Sequence, residues 1–371
     1  MNSRERLIAV LEGKIPDRVP VSTYELVGYN SQSFENKEPS YARIMDFIRE
    51  KTDCLCMWNP GSDETFLGSA YPTEIIKEET REEDCLITHN ILKTPLGILT
   101  QTQKKVDNVY TLWQTEHWCK SIEDVDKALS IPYEPISYDG SDLSRVQSEL
   151  GTHGLLMPSL PDPLLLAAEL MEFGEFTVWA MTETAHFART VDILHERNME
   201  NLQRMLEGHV ADLYRIVGPE YACPPFLPPV YFERFVLPYV REMVELIHAR
   251  GGKVRLHCHG RVGQVLEAIL ATGADGMDPC EAPPDGDITL AELKNRTKGK
   301  ITLFGNIQLK LLEQGTPEEI REAVKLCMDS AKEGGRFVLM PTAAPINVPL
   351  SPQTEENYFH YIEAGLEFGG Y

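Results

Sequence analysis

The stretch Val254-Arg255-Leu256-His257-Cys258-His259-Gly260 carries the residue types best suited to chemistry, and the next candidate strand ends in Gly276-Met277-Asp278-Pro279-Cys280-Glu281. Side chains alternate faces along a strand, so His257 and His259 are expected on one side and Cys258 on the other. Two imidazoles at i and i+2 offer two nitrogen donors to a single metal ion. Cys280 or Glu281 is placed to add a third donor, a set that suits zinc with one open position. Without a metal, one histidine would be buried and hydrogen-bonded while the other lines an organic substrate pocket.

Other side chains fall at the ends of candidate strands: Asn306, as a substrate hydrogen-bond donor, together with Met340 and Thr342. Arg255, Arg261 and Arg336 are candidate partners for a substrate carboxylate, or else a solvated rim. The rigid run Cys223-Pro224-Pro225-Phe226-Leu227-Pro228-Pro229 could wall a pocket through Phe226 and Leu227. Tyr24, Glu25, Tyr29, Trp58 and Trp113 are candidates for a pocket or a dimer surface. Asp162 and Asp287 read as caps of the segments that follow them.

The elements that must position these groups change character along the chain. A helix is expected from Ser3 to Gly13, capped by Ser3, and another over 40–50. Residues 72–120 alternate in short runs around Thr94-Pro95-Leu96-Gly97, the pattern of antiparallel hairpins. Beyond 150 the rhythm is strand, loop, helix. Strands are expected at Leu155–Pro158, Gly252–His257, Gly276–Asp278, Ile301–Asn306 and Arg336–Met340, with helices over 163–173, 190–217, 231–250, 262–272, 289–296 and 317–333. This implies an α/β chain, read as one TIM-like (β/α)8 barrel domain over 1–371 with a small β-hairpin insertion at about 72–120. A doubly wound sheet is the alternative, but no Gly-x-Gly-x-x-Gly turn accompanies a strand.

The chain has 371 residues and a formal net charge of −22, which argues against a nucleic-acid partner. The eight cysteines are scattered and read as reduced thiols. The opening Met1-Asn2-Ser3-Arg4-Glu5-Arg6 is not a secretory leader, and no apolar run would span a bilayer, so a cytoplasmic location is expected.

Several segments together resemble the uroporphyrinogen decarboxylase superfamily over nearly the whole chain. They are Asn2–Leu7 with Gly13-x-x-Pro16-Asp17-Arg18-Val19-Pro20, His257-Cys258-His259-Gly260, Thr272–Gly276, Gly305-Asn306-Ile307, Gly315–Glu319, and Gly334–Pro341 with Pro349-x-x-Pro352. The resemblance implies a barrel with its pocket at the carboxyl ends of the strands, commonly in homodimers. The decarboxylases of that superfamily are metal-free and clamp porphyrinogen carboxylates with arginines after the Pro-Asp-Arg-x-Pro signature. Here that segment is Tyr24-Glu25-Leu26-Val27-Gly28-Tyr29-Asn30, without arginine, and Thr342–Asn347 has no histidine. An unclamped buried carboxylate costs several kcal/mol.

The other branch resembled is that of zinc-dependent methyltransferases working with cobamide or corrinoid proteins. Their zinc is held by a His-x-Cys pair and a later cysteine. His257 matches the first ligand, His259 replaces the cysteine, and Thr342-Ala343-Ala344 lacks the last one. The implied function is methyl transfer between a small methylated or methoxylated compound and a corrinoid. The corrinoid would sit on a partner protein, because no Asp-x-His-x-x-Gly motif occurs here. In that reading the metal ligands are His257, His259 and Cys280, while Glu281 and Asn306 are catalytic. Tyr24, Arg255 and Phe226 contact substrate. The alternatives are a metal-free carboxy-lyase for a small acidic substrate and a silent ligand-binding barrel. The HxH pair also resembles that of metal-dependent amidohydrolases, but those carry it on the first strand.

Overall fold

The computed structural model describes residues 1–208 and 211–371. Its contacts group into two compact units: Met1–Pro60, Ser141–Leu160 and Val210–Tyr371 form one, and Gly61–Gly140 with Pro161–His209 form the other.

The first unit is built from parallel strands. Cys54–Met57 pairs with Gly154–Met157, and a parallel ladder runs Leu213–Val217, Lys253–His257, Gly276–Asp278, Thr302–Ile307, Phe337–Pro341. A few backbone bonds join these sheets. Arg215 N–H donates to Pro158 O at 2.8 Å, Ser22 N–H to Leu339 O at 2.9 Å, and Asp53 N–H to Val21 O at 2.7 Å. With the extended segment around Val21, the hydrogen-bonded path therefore returns to its start.

Asp53 anchors that closure. It is fully buried, ion-paired to Arg6 at 2.6 Å and Arg18 at 2.8 Å, and accepts the Val21 N–H at 2.9 Å. A buried carboxylate is tolerable when such partners saturate it. The Pro-Asp-Arg-Val-Pro segment thus has a structural task at the amino side. Leu7, Val10 and Leu11 of the first helix pack with Leu55, Leu155, Leu213, Phe304 and Val338 in one core cluster.

That helix spans Ser3–Leu11, and its cap is Asn2 rather than the expected Ser3: Asn2 accepts from Glu5 N–H while Glu5 reaches back to Asn2 N–H. The expected helix over 190–217 is also corrected. It runs Thr184–Gly208, residues 209 and 210 lie outside the described residues, and Leu213–Val217 is a strand. Leu202, Met205, Leu206, Leu213 and Ile216 keep a helix-like spacing across the break, which concealed it. The strand Cys54–Met57 and the helices Leu309–Gln314 and Pro352–Phe368 were not anticipated.

In the second unit, the residues read as hairpins form a four-stranded antiparallel sheet: Ile75–Glu82, Cys85–Thr94, Gly97–Val106, Trp113–Glu116. Asp162 caps the Pro163–Ala168 helix through Leu165 N–H at 2.7 Å, as expected. Among the described residues no helix is long and apolar enough to cross a membrane.

Candidate functional site

Register explains how the site is assembled. His257 pairs with Asp278, Arg255 with Gly276, and Arg215 with Arg255 on adjacent parallel strands. His257 Nδ1 lies 2.8 Å from Asp278 Oδ2, and Arg255 Nε is 3.0 Å from Asp278 Oδ1. Burial opposes charge on Asp278, but Arg255 and His257 outweigh it and hold the carboxyl well below its usual range. Burial also dominates at His257, lowering its pKa despite Asp278, so the ring is neutral around pH 7.

His259 follows the strand. Its ring meets that of His257 edge-on, with centroids 4.7 Å apart, and its Nδ1 lies 3.1 Å from Glu281 Oε2. The same oxygen accepts Gly260 N–H at 3.3 Å. Here too burial works against the cation, but the hydrogen bond and charge of Glu281 prevail and raise the His259 pKa. The two imidazoles thus touch, each has a carboxylate at Nδ1, and their affinities for protons are pushed in opposite directions.

Tyr24 stands beside His257, ring centroids 6.3 Å apart, and its hydroxyl accepts from Arg215 Nη2 at 2.5 Å. Arg255 is 1% exposed. The rim placement considered for it is therefore corrected: strand alternation turns it inward with His257. Arg261 is exposed, and Arg336 donates to Leu11 O next to the first helix. The proline-rich run is tied to this strand end, because Pro224 O accepts Arg261 N–H at 2.7 Å. A Cβ at Gly260, whose φ is +98°, would lie 2.8 Å from the same oxygen. Phe226 on that run is partly exposed.

Cys280 stands apart from the histidines' polar contacts. It has a φ of 58°, is buried, and its Sγ donates to Met277 O at 3.6 Å. Burial pushes its thiol pKa up. Among the described residues no group of three His, Cys, Asp or Glu side chains is arranged to hold a metal ion. The donors thus do not fit the zinc set expected from the sequence. Asn306 is a cross-brace: its Nδ2 donates to Cys280 O at 2.9 Å and its Oδ1 accepts from Cys327 Sγ at 3.2 Å. Thr342 joins Leu309 N–H to Gln308, Trp58 donates to Asp142, and Tyr29 donates to Arg49 O. Asp287 accepts Gly263 N–H at 2.8 Å.

Two polar groups of this cluster, Asp278 and Arg215, are absent from the candidates of the sequence reading. Asp278 could have been found by pairing the ends of adjacent strands. Arg215 could not be found while its strand read as helix.

The uroporphyrinogen decarboxylase (URO-D) family profile matches residues 116–355, more than half of the chain, and the chain belongs to that family. It is 24% identical over 248 residues to uroporphyrinogen decarboxylase 2, chloroplastic, of Arabidopsis thaliana, covering 64% of this chain and 58% of that protein. It is 25% identical over 197 residues to the methylcobamide:CoM methyltransferase MtaA of Methanosarcina barkeri, covering 53% of this chain and 54% of that one. The matches thus span somewhat more than half the length of these curated relatives. A solved methyltransferase from Methanosarcina mazei superposes with a TM-score of 0.63 at 18% identity, over 99% of both chains, and shares the fold.

Proposed function

We propose that this chain is a (β/α)8-barrel methyltransferase. It moves a methyl group between a small methylated or methoxylated substrate and a corrinoid carried by a partner protein. The observation that carries the reading is the imidazole pair, His257 on Asp278 and His259 on Glu281, with opposite proton affinities. Paired groups whose environments separate their pKa values divide acid and base roles between them.

His259 is the general acid. As the methyl group departs, the electron pair of the breaking C–O bond stays on the substrate oxygen, which takes the proton of His259. The corrinoid supplies the nucleophile that accepts the methyl group. Glu281 orients His259 and favours its cationic form. His257, neutral and held by Asp278, offers Nε2 as an acceptor to the bound substrate. Tyr24, Arg255 and Phe226 contact substrate in this reading, and Asn306 holds the Cys280 turn. No step passes through zinc, because the donor set does not fit it. The likeness to the methylcobamide:CoM methyltransferase and the absence of an arginine clamp in 24–30 support methyl transfer. The homodimer and the cytoplasmic location remain part of this proposal.

The test is methyl transfer from a panel of methoxylated compounds to cob(I)alamin, followed by the absorbance change on methylation. Activity should appear in the wild type and fall by about 10²–10⁴-fold in His259→Asn, the range for loss of a general acid. Full activity in that variant would sink the assignment. A second reading, a metal-free carboxy-lyase acting on a small acidic substrate, is supported by the decarboxylase relatives and the inward Arg255. Carbon dioxide release without methyl transfer would favour it.

A further inference from the structure

Arg215 and Arg255 occupy paired positions on neighbouring strands and are 6% and 1% exposed. Like charges opposed across two strands repel, and the lack of water around them raises the cost. The negative charge facing them is short. Asp278 is shared between Arg255 and His257, Glu25, which reaches Arg215 Nη1 at 3.2 Å, has a side chain 40% exposed, and the half-buried Glu220 adds its charge to Arg215 only from further off. Two buried guanidinium groups therefore face one buried carboxylate.

Acceptors are short as well. Among the described residues the Nε–H groups of Arg215 and Arg255 have no hydrogen-bonded partner; Asp278 Oδ1, itself without one, lies 3.0 Å from Arg255 Nε, so the surplus rests on Arg215. Arg255 Nη1 donates to the thioether of Met340 at 3.5 Å, a weak acceptor. Buried donors ordinarily find acceptors, so a concentrated surplus calls for a ligand that supplies them. The Tyr24 hydroxyl spends its oxygen on Arg215 and keeps its own proton to donate.

We propose that Arg215, Arg255 and the Tyr24 hydroxyl form an anion subsite that takes the carboxylate of the substrate. A planar monoanion matches the guanidinium fork and brings the buried charges into balance. His257 lies two residues further along the strand from Arg255, and His259 beyond it, so a molecule anchored on the arginines extends past both imidazoles. The inference rests on the placement of substrate at this centre and narrows the substrate to small carboxylates bearing a transferable methyl group.

Titration calorimetry of the full chain at pH 7 with acetate and benzoate, and with benzamide and inorganic phosphate as controls, tests it. Saturable binding of at least one carboxylate is expected, with benzamide and phosphate weaker by about ten-fold or more. Arg215→Gln should weaken the carboxylate by about ten-fold, and Glu25→Gln should tighten it several-fold by freeing Arg215 Nη1. Failure of both carboxylates to bind the wild type overturns the subsite, as does benzamide or phosphate binding equally well. So does Glu25→Gln leaving affinity unchanged, an arm that decides alone if Arg215→Gln does not fold. Carboxylate binding in a protein that transfers no methyl group leaves the subsite standing and removes only the methyltransferase reading.

Discussion

His257 and Asp278 face each other across adjacent parallel strands, with Nδ1 and Oδ2 2.8 Å apart. The same carboxylate approaches Arg255 through its other oxygen. One side chain thus sets the tautomer of an imidazole and partly neutralises a buried cation. Asp278→Asn keeps the shape and removes the charge. Stability should fall by about 3–5 kcal/mol, the cost of stranding one partner of a buried pair, and turnover should fall with it. Urea denaturation beside an activity assay measures both, and an unchanged midpoint would contradict the pairing.

The His259–Glu281 contact makes a pH-dependent prediction. The His259 pKa is raised in the folded protein, so its contribution to stability is complete below about 6.5 and lost as pH rises through the folded value. Glu281 is lowered, so its contribution is complete above about 4.3 and lost as pH falls through its folded value. The pair is therefore strongest between those limits. Proton NMR should place the His259 midpoint above 6.5, and Glu281→Gln should bring it down; a midpoint indifferent to Glu281 would remove the acid role.

Cys280 supplies a test of the metal question. Its Sγ is buried against Met277 O. Cys280→Ser should therefore leave the zinc content of the purified protein equal to that of the wild type, read by plasma mass spectrometry. Loss of a bound equivalent would show that the thiol reaches a metal.

Gly305 sits where its strand and the Pro279 turn approach closely: a Cβ there would lie 2.3 Å from Pro279 O. Gly305→Ala should cost about 1–3 kcal/mol through overpacking and displace the Asn306 brace. An unperturbed melting curve would mean the turn yields freely.

The sequence discloses one half of this site better than the other. His257 and His259 were legible because alternation is a local rule and the strand leading to them is continuous. The placement of Cys280 is less legible because alternation stops at Asp278: Pro279 intervenes, and Cys280 has a positive φ and is buried. Asp278 depends on the register between strands, which a three-residue strand does not announce. Arg215 was hidden by apolar spacing that continues a helix beyond Gly208. The α/β rhythm was legible after residue 150, whereas the strand Cys54–Met57 is too short and too uniformly apolar to declare its partner.

The bond from Ser22 to Leu339 has a consequence for biosynthesis. A ribosome releases the Val21 segment long before Phe337–Pro341, so the nascent chain carries an unpaired sheet edge while the residues between them are made. Folding of this unit is expected to wait until Phe337–Pro341 has emerged, which makes the half-made chain a natural client for chaperones that shield open strands.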